Sequence, residues 1–332
     1  MAATPVRPLK TSVKPALILF FLSPLIAEYL LGDLSFAQLT LYPIMVLLYG
    51  GGTVVIREVT RKFGRGWPTI LTLGLGYAII EEGLMTQSLF NRHYLGLSLS
   101  DFGWVPALGM STAWASYVIG IHVIWSIAVP IGLVEALYPE YRRTPWTGRG
   151  WFAGFFAVFI IGALMGTFGT YQQSHFIASP TQLGLSASLA VLFAALAFAV
   201  FGRPEGAPPA NPPGVPRAPW LFGILAFGCG LAFNLTTALY YHVPALGVVA
   251  IRLAILSVPV ITFARAWKSR AWRDADADAM AVGAVLVYCV WGFHITVVLH
   301  GKGSIPGQCF PVALIALFLV WISRRRRRQM AA

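Results

Sequence analysis

Two adjacent glutamates interrupt a long apolar stretch of the sequence. They are Glu81 and Glu82, and the next long apolar stretch contains His122. An ionisable side chain inside hydrocarbon is costly, so each of these residues is a functional candidate. A carboxylate can act as a general base, and an imidazole can bind a metal or carry a proton. The three residues therefore predict a buried site for water activation, metal binding or proton transfer.

Further polar residues occupy apolar stretches at a similar depth. Counting about 1.5 Å per residue from the cytoplasmic end of each predicted helix places all of them, with the glutamate pair and His122, about 20 Å above that face. The additional residues are Glu28, Asn234, Arg252 and His294. In this layer Arg252 is the one guanidinium beside three carboxylates, so a cation or protons must supply the remaining positive charge. We expect one glutamate to face His122 and the other to face Arg252 or water.

The segment IIEEGLMTQSLF and the histidine that follows it resemble the CPBP family, the bacterial relatives of type II CAAX prenyl proteases. That family consists of polytopic membrane metalloproteases in which a glutamate pair and two histidines activate water. The resemblance implies that Glu81 and Glu82 form the glutamate motif, His122 is the first histidine and His175 is the second. Three positions depart from the family's motifs: Thr86, Val118 and Ser179.

One functional hypothesis is an intramembrane hydrolase that is metal-dependent or glutamate-dependent. Glu81 or Glu82 would act as the general base, and Asn234 or Arg252 would stabilise an oxyanion. A zinc ion or a directly polarised water would be bound by carboxylate and imidazole groups. The predicted metal ligands are Glu82, His122, His175 and His294. The substrate would be a peptide or a small molecule.

Two other hypotheses remain open. In a proton- or cation-coupled transporter, Glu28 and the glutamate pair would be the ion sites and Arg252 their counter-charge. That alternative predicts helix breaks at three places: residues 50–52, Pro130 and Pro259. In a non-catalytic membrane scaffold, the polar layer would only fasten helices together, and the basic loops would bind partners or lipid.

The composition indicates the elements that must position these residues. Of the 332 residues, 57% are hydrophobic and 11% are charged, and the mean hydropathy is +0.72, which is typical of a protein embedded in lipid. Stretches long enough to span a bilayer lie at 15–32, 37–56, 68–89, 107–136, 151–171, 185–201, 220–240, 245–265, 280–299 and 311–323. The sequence therefore predicts an all-α, polytopic transmembrane helical bundle of about ten spans.

The basic residues predict the orientation of this bundle. Nearly all of the 24 lysines and arginines lie in alternate connecting segments that include both ends of the chain, whereas Arg92 and Lys302 lie in the opposite set. The positive-inside rule then predicts both termini in the cytoplasm of a multi-pass protein of the cell (plasma) membrane. The run 324–328, five arginines after the last stretch, is expected to contact anionic lipids. The net charge of +12 is assigned to these segments and not to a nucleic-acid partner.

A proline-rich segment predicts the division of the chain. Residues 204–219 contain seven prolines, too many for a helix or a sheet, and should form an extended cytoplasmic linker. Residues 1–203 would then form a six-helix membrane half that carries the glutamate pair. Residues 220–332 would form a four-helix membrane half with a basic tail.

Overall fold

The computed structural model describes residues 11–200, 218–268 and 272–331. Within these ranges the chain forms ten long helices and three short 3-10 helices, Tyr94–Gly96, Pro139–Tyr141 and Lys302–Ser304. The strands of the described residues form one short antiparallel hairpin, Trp104–Val105 (β1) and Met110–Ser111 (β2). The predicted all-α fold and the number of helices are confirmed.

The ten helices follow the predicted apolar stretches in order. They are α1 (Lys14–Pro24, continued by Leu25–Leu30), α2 (Phe36–Lys62), α3 (Trp67–Ile79, continued by Ile80–Met85), α4 (Thr112–Leu137), α5 (Arg149–Ser174), α6 (Pro180–Ala199), α7 (Pro219–Leu239), α8 (Ala245–Lys268), α9 (Asp274–His300) and α10 (Ile305–Ala331). Eight of them are long and apolar enough to cross a membrane, and α1 and α3 are the two that are not counted among these. The chain is a multi-pass membrane protein.

Helix α4 is the centre of the bundle. Its apolar window is 83% buried, whereas those of α5 and α8 are each 11% buried. The Trp125 ring of α4 stacks on Tyr288 of α9, and its Nε1 donates to the carbonyl of Ala284 at 2.8 Å. Because α5 and α8 expose apolar side chains, they face lipid, while α4 is enclosed by other helices.

Four of the helices each contain a π-helical segment. These segments are Leu25–Leu30 in α1, Val46–Gly50 in α2, Ile80–Met85 in α3 and His122–Ala128 in α4. A π-helical turn accommodates an extra residue, so it rotates the following side chains around the helix axis. Such turns widen the backbone locally and often occur at functional sites.

Hydroxyl groups stabilise α4 where a proline removes a backbone donor. Pro130 has no N–H to offer the carbonyl of Ser126, one turn before it. Ser23 Oγ and Thr53 Oγ1 donate to that carbonyl at 2.9 and 3.1 Å instead. A freed carbonyl inside a membrane helix needs such a partner, and with it the helix continues.

The helix breaks predicted by the transporter hypothesis are therefore absent from the described residues. Residues 50–52 lie inside α2, where a π-helical segment meets an α-helical one without interruption. Pro130 lies inside α4, and Pro259 lies inside the continuous helix α8. The backbone is locally widened in α2 and α4 and is not broken there.

Glycine at position 50 permits a backbone contact between α1 and α2. A Cβ atom at Gly50 would lie 2.1 Å from the carbonyl oxygen of Phe20. We expect Gly50→Ala to lower the free energy of unfolding by about 1–3 kcal/mol, because α1 would have to move away. The control is Gly154→Ala in α5, where a Cβ meets nothing within 4 Å and should stabilise the helix by up to about 1 kcal/mol. Equal unfolding midpoints for the two variants would contradict this interpretation.

A buried ion-pair network joins the ends of α2 and α4. Arg57 Nε lies 3.2 Å from Glu135 Oε1, Arg61 Nη2 lies 2.9 Å from Glu135 Oε2, and Arg57 Nη1 lies 2.7 Å from Glu58 Oε1. The Arg57 guanidinium stacks on Trp146 at 3.5 Å from the ring centre. As members of the basic connecting segments, Arg57 and Arg61 would be expected at the membrane interface. These side chains are instead buried, and each of them has a partner of opposite charge inside the bundle.

The predicted linker at 204–219 lies outside the described residues except at its last two positions, Ala218 and Pro219, where α7 begins. Helices from before and after this segment pack on one another. In particular, α9 packs against α4 as well as against α7. The proposed halves thus contribute to one bundle.

Candidate functional site

Three predicted site residues meet in the interior of the bundle. His122 Nε2 lies 2.7 Å from Glu82 Oε1, and His122 Nδ1 lies 3.3 Å from Glu81 Oε2. All three side chains are buried. The consecutive helices α3 and α4 pack side by side, so they bring the glutamate pair and the imidazole together. We call these three residues the Glu–Glu–His centre.

Both carboxylate oxygens of Glu82 are engaged. Besides the contact of Oε1 with His122, Glu82 Oε2 accepts hydrogen bonds from Ser88 Oγ and from Thr86 Oγ1, the latter at 3.2 Å. Ser88 Oγ in turn accepts from Trp114 Nε1 at 3.1 Å. This chain of donors fixes the orientation of Glu82 and marks it as the residue that positions the imidazole.

The His122 ring is held from several sides. Ser126, one turn further along α4, places its Oγ 3.1 Å from His122 Nδ1. Tyr49 stacks on the ring with a centroid separation of 6.1 Å, and Tyr77 approaches its edge at 6.5 Å. The orientation of the imidazole is thus set by packing and by contacts at both nitrogens.

Two buried polar atoms at the centre have no hydrogen-bond partner among the described residues. They are Glu81 Oε2 and the hydroxyl of Tyr77, and both side chains are less than 5% exposed. A buried carboxylate oxygen without a partner carries a desolvation cost. Its chemical complement is a hydrogen-bond donor or a cation. Glu81 Oε2 is therefore open to a ligand as it stands, whereas a ligand of Glu82 would replace one of its present contacts.

Two more carboxylates lie beside the centre. Glu28 on α1 interacts with the Tyr49 hydroxyl and with the charges of His122 and Glu82. Asp33, in the turn after α1, is close enough to interact with Glu28, Glu82 and His122. Sequence reasoning missed Asp33 because it treated this turn as an outer loop. Its position directly after the helix that carries Glu28 was the available signal.

Each π-helical segment contributes a residue to this region. The segments carry Glu28 in α1, Tyr49 in α2, the glutamate pair in α3 and His122 in α4. The widened turns of four helices thus converge on one polar region. This convergence of π-helical segments is expected where a local distortion of a helix positions functional side chains and does not serve the packing of the bundle.

The comparison with known families now gives the context for this geometry. Residues 17–326 match the model of a family described as an uncharacterized membrane protein family. The chain belongs to this family. No curated protein and no solved structure matches the chain. The family match covers all ten helices at least in part and supports the membrane assignment, while the CPBP resemblance depends on the motif residues alone.

The two other histidines of the predicted metal site are not part of the Glu–Glu–His centre of this family member. His175 ends α5 in an exposed left-handed conformation, next to Tyr171. His294 is exposed on α9 and packs against the ring of Trp291 at 4.6 Å. Counting residues along α9 predicts a depth for His294, but the side chain is exposed, because depth along a helix does not set rotation about its axis.

Arg252 does not pair with the glutamates. Its guanidinium is fully buried and donates to Thr236 Oγ1 at 2.7 Å, to the carbonyl of Ala113 at 2.5 Å, to Ser116 Oγ at 3.0 Å and to Tyr240 Oη at 2.8 Å. All of these acceptors are neutral. The expected ion pair between Arg252 and a glutamate is therefore replaced by hydrogen bonds that join α4, α7 and α8.

Asn234 belongs to the same group of contacts around α7. Its Oδ1 accepts from Tyr117 Oη at 2.9 Å, and its Nδ2 donates to the carbonyl of Gly230 at 2.9 Å. These hydrogen bonds occupy the side-chain amide with which Asn234 was expected to stabilise an oxyanion. The structure thus shows Asn234 as a helix-packing contact.

The Glu–Glu–His centre of this family member could hold a metal ion. One donor atom from each of its three residues lies within 4.8 Å of the others. Three protein ligands with oxygen and nitrogen donors are the number found in catalytic zinc sites, which leave a fourth position for water. The unpartnered Glu81 Oε2 fits the same interpretation, because a bound cation would satisfy it.

Proposed function

We propose that the Glu–Glu–His centre is the reaction centre of an intramembrane hydrolase. The observation that carries this proposal is the asymmetry of the glutamate pair. Glu82 is fixed by three contacts, while Glu81 Oε2, 3.3 Å from His122 Nδ1, accepts no hydrogen bond. Water activation requires a general base, here Glu81, next to an imidazole whose orientation is fixed, here by Glu82.

The residues then have distinct roles. Glu81 Oε2 accepts a proton from water as the water oxygen attacks a substrate carbonyl. His122 Nδ1, 3.3 Å from that oxygen, is placed to pass a proton to the leaving group. Glu82 holds the imidazole through Nε2 and stabilises its charged form.

A zinc ion would be held by the same three residues and would polarise the substrate carbonyl and acidify the bound water. The proposed enzyme shares with the CPBP proteases the glutamate pair and the first histidine. It lacks the second, because His175 lies outside the centre. A peptide bond is accordingly the first substrate class to test.

The proposed orientation is that of the positive-inside rule, with both termini in the cytoplasm of a plasma-membrane protein. The arginine-rich end of the bundle is closed by the buried pairs of Arg57 and Arg61 with Glu135. On the opposite side of the centre lie Asp33 and the loop residue Tyr94, which interact with its charges. Water and substrate would therefore reach the centre from the outer side.

Oxygen-isotope labelling tests the hydrolase with a broad mixture of peptides as substrate. Purified protein in nanodiscs is incubated with a total membrane-protein digest in H₂¹⁸O, and new carboxyl groups carrying ¹⁸O are identified by mass spectrometry. We expect the wild type to produce labelled products and Glu81→Gln to lose about 10²–10⁴-fold in rate. His175→Ala is the control and should retain activity. Equal labelling by wild type and Glu81→Gln would refute the proposal.

A proton- or cation-coupled transporter is the second candidate. It is favoured by Glu28 and Asp33, since they bring the number of interacting carboxylates to four around a single imidazole. This function predicts proton flux into proteoliposomes that contain a pH-sensitive dye, with loss of flux in Asp33→Asn. Labelled products without flux would favour the hydrolase, and flux without products would favour the transporter. Neither activity would be the result expected of the scaffold.

A further inference from the structure

An apolar groove runs along the surface between α7 and α9. It has a volume of about 710 Å³ and is closed at one end by the last turns of α4 and α10. Ile224 and Phe227 of α7 form one wall, and Val282 and Leu286 of α9 form the other. Ile224 is 61% exposed and Leu286 is 40% exposed. We call this feature the α7–α9 groove.

The floor of the α7–α9 groove is a backbone contact between its two helices. A Cβ atom at Gly283 would lie 2.0 Å from the carbonyl oxygen of Gly223. The two helices therefore approach as closely as their backbones allow, and their larger side chains rise on either side of the contact. The groove is thus a rigid depression in a surface that faces lipid.

The end of the groove next to α4 and α10, which we call its mouth, carries an excess of positive charge. Asp278 is bound by Arg142 at 2.5 Å and also by Arg326. Arg142 lies in addition 3.7 Å from Asp274 Oδ1, whereas Arg326 shares Asp278. Arg326 itself lines the groove. A second acceptor with negative charge is the natural complement of this arrangement.

More arginines lie on the final turns of α10, at the same end of the bundle as Arg326. Arg324, Arg327 and Arg328 are exposed, and none of them pairs with a carboxylate in the part of the chain that the structure describes. Trp220, 61% exposed at the start of α7, lines the same end. Tryptophan and arginine together are typical of the headgroup level of a bilayer.

We propose that the α7–α9 groove binds one phospholipid with an anionic headgroup. One acyl chain lies between the walls of α7 and α9, and the phosphate lies near Arg326 and the exposed arginines. Charge complementarity selects the occupant, because a zwitterionic lipid would fill the walls equally well but would not neutralise the mouth. The site is separate from the Glu–Glu–His centre and does not depend on the proposed hydrolase.

Native mass spectrometry of the full chain, delipidated in detergent, tests the proposal with two probes. These are phosphatidylglycerol and phosphatidylcholine with identical acyl chains. We expect one phosphatidylglycerol to bind roughly tenfold more tightly than phosphatidylcholine. Equal affinities for the two lipids would overturn the proposal.

Matched variants locate the lipid. Leu286→Trp narrows the groove and should abolish the tight binding, whereas Leu317→Trp, at another exposed position outside the groove, should leave it unchanged. Ile224→Trp fills the opposite wall and provides an independent check if one variant folds poorly. Wild-type binding in both groove variants would place the lipid elsewhere and would contradict the proposal.

A charge variant separates the headgroup from the acyl chain. Replacing Arg324, Arg327 and Arg328 together by glutamine should lower the affinity for phosphatidylglycerol to that for phosphatidylcholine, with the latter unchanged. These residues are exposed, so the folded bundle should be retained. An undiminished preference for phosphatidylglycerol in this variant would show that the exposed arginines do not select the headgroup.

Discussion

Replacing Glu135 by alanine is expected to lower the free energy of unfolding by about 3–5 kcal/mol. Glu135 is fully buried and is the shared partner of Arg57 and Arg61. Its removal takes the shared carboxylate from two guanidinium groups inside the bundle and leaves Arg57 with Glu58. Breaking a buried ion pair by removing one partner is far more costly than the pair's net contribution to stability.

The loss should not be relieved by local rearrangement. Arg57 also donates to the carbonyls of Tyr141, Arg142 and Thr144, at 2.8 to 3.0 Å, so it cannot turn towards water without breaking these bonds. The segment that follows α4 is thereby fixed to α2. We expect this segment to become accessible to protease in Glu135→Ala.

Denaturation with sodium dodecyl sulfate in mixed micelles measures the change. The control is Asp101→Ala, which breaks the exposed ion pair between Arg92 and Asp101. Exposed pairs contribute little to stability, so this control should leave the unfolding midpoint within experimental error of the wild type. A Glu135→Ala midpoint no lower than that of Asp101→Ala would mean that the buried network does not stabilise the bundle.

The helices could be predicted from sequence because the bilayer sets their length and their composition. Each of the ten predicted apolar stretches corresponds to one helix of the structure. A contact between one of the two glutamates and His122 was also predictable. The approach of both was not, because the other glutamate was expected to face Arg252 or water. Consecutive helices pack together, and buried ionisable groups in neighbouring helices stabilise one another when they meet.

The wider polar layer could not be resolved from sequence. Depth along a helix follows from residue number, but the face on which a side chain lies depends on every turn before it. The π-helical segments in α1 to α4 shift that face by about 100° per extra residue, and they have no sequence signature. Among the residues counted at one depth, Glu28 lies beside the Glu–Glu–His centre, while His294 and Arg252 do not.

The buried ion pairs were missed for a different reason. The positive-inside rule counts arginines in a segment and treats them as interfacial, so it does not predict which of them are buried with partners. Glu58 next to Arg57, and Glu135 at the same end of α4, were the available signals. These carboxylates offer the arginines a partner, but they do not show that Arg57 and Arg61 are buried while Arg324 is exposed.

Zinc binding separates the Glu–Glu–His centre from the ligand set that the sequence suggested. We expect the wild type to bind about one zinc ion per chain, through Glu81, Glu82 and His122. Glu82→Gln and His122→Ala should each weaken binding at least about 100-fold, because loss of a partner of a ligand already weakens it by about 10- to 100-fold. Competition with a fluorescent chelator measures the affinity without any assay of activity.

The matched controls are His175→Ala and His294→Ala. Both residues are exposed and lie outside the metal-competent group, so the two variants should bind zinc as the wild type does. Zinc should also raise the melting temperature of the wild type and of both controls, since a ligand that binds only the folded state stabilises it. It should not raise that of His122→Ala.

The pattern across these variants decides which residues form the site. Loss of zinc in His294→Ala would require α9 to rotate its exposed face towards α4, although Trp125 of α4 now stacks on Tyr288 of α9. Absence of zinc from the wild type would leave Glu81 Oε2 to interact with water or a proton. The glutamate-dependent form of the hydrolase would then be the one to test, because its base needs a free carboxylate oxygen and no metal.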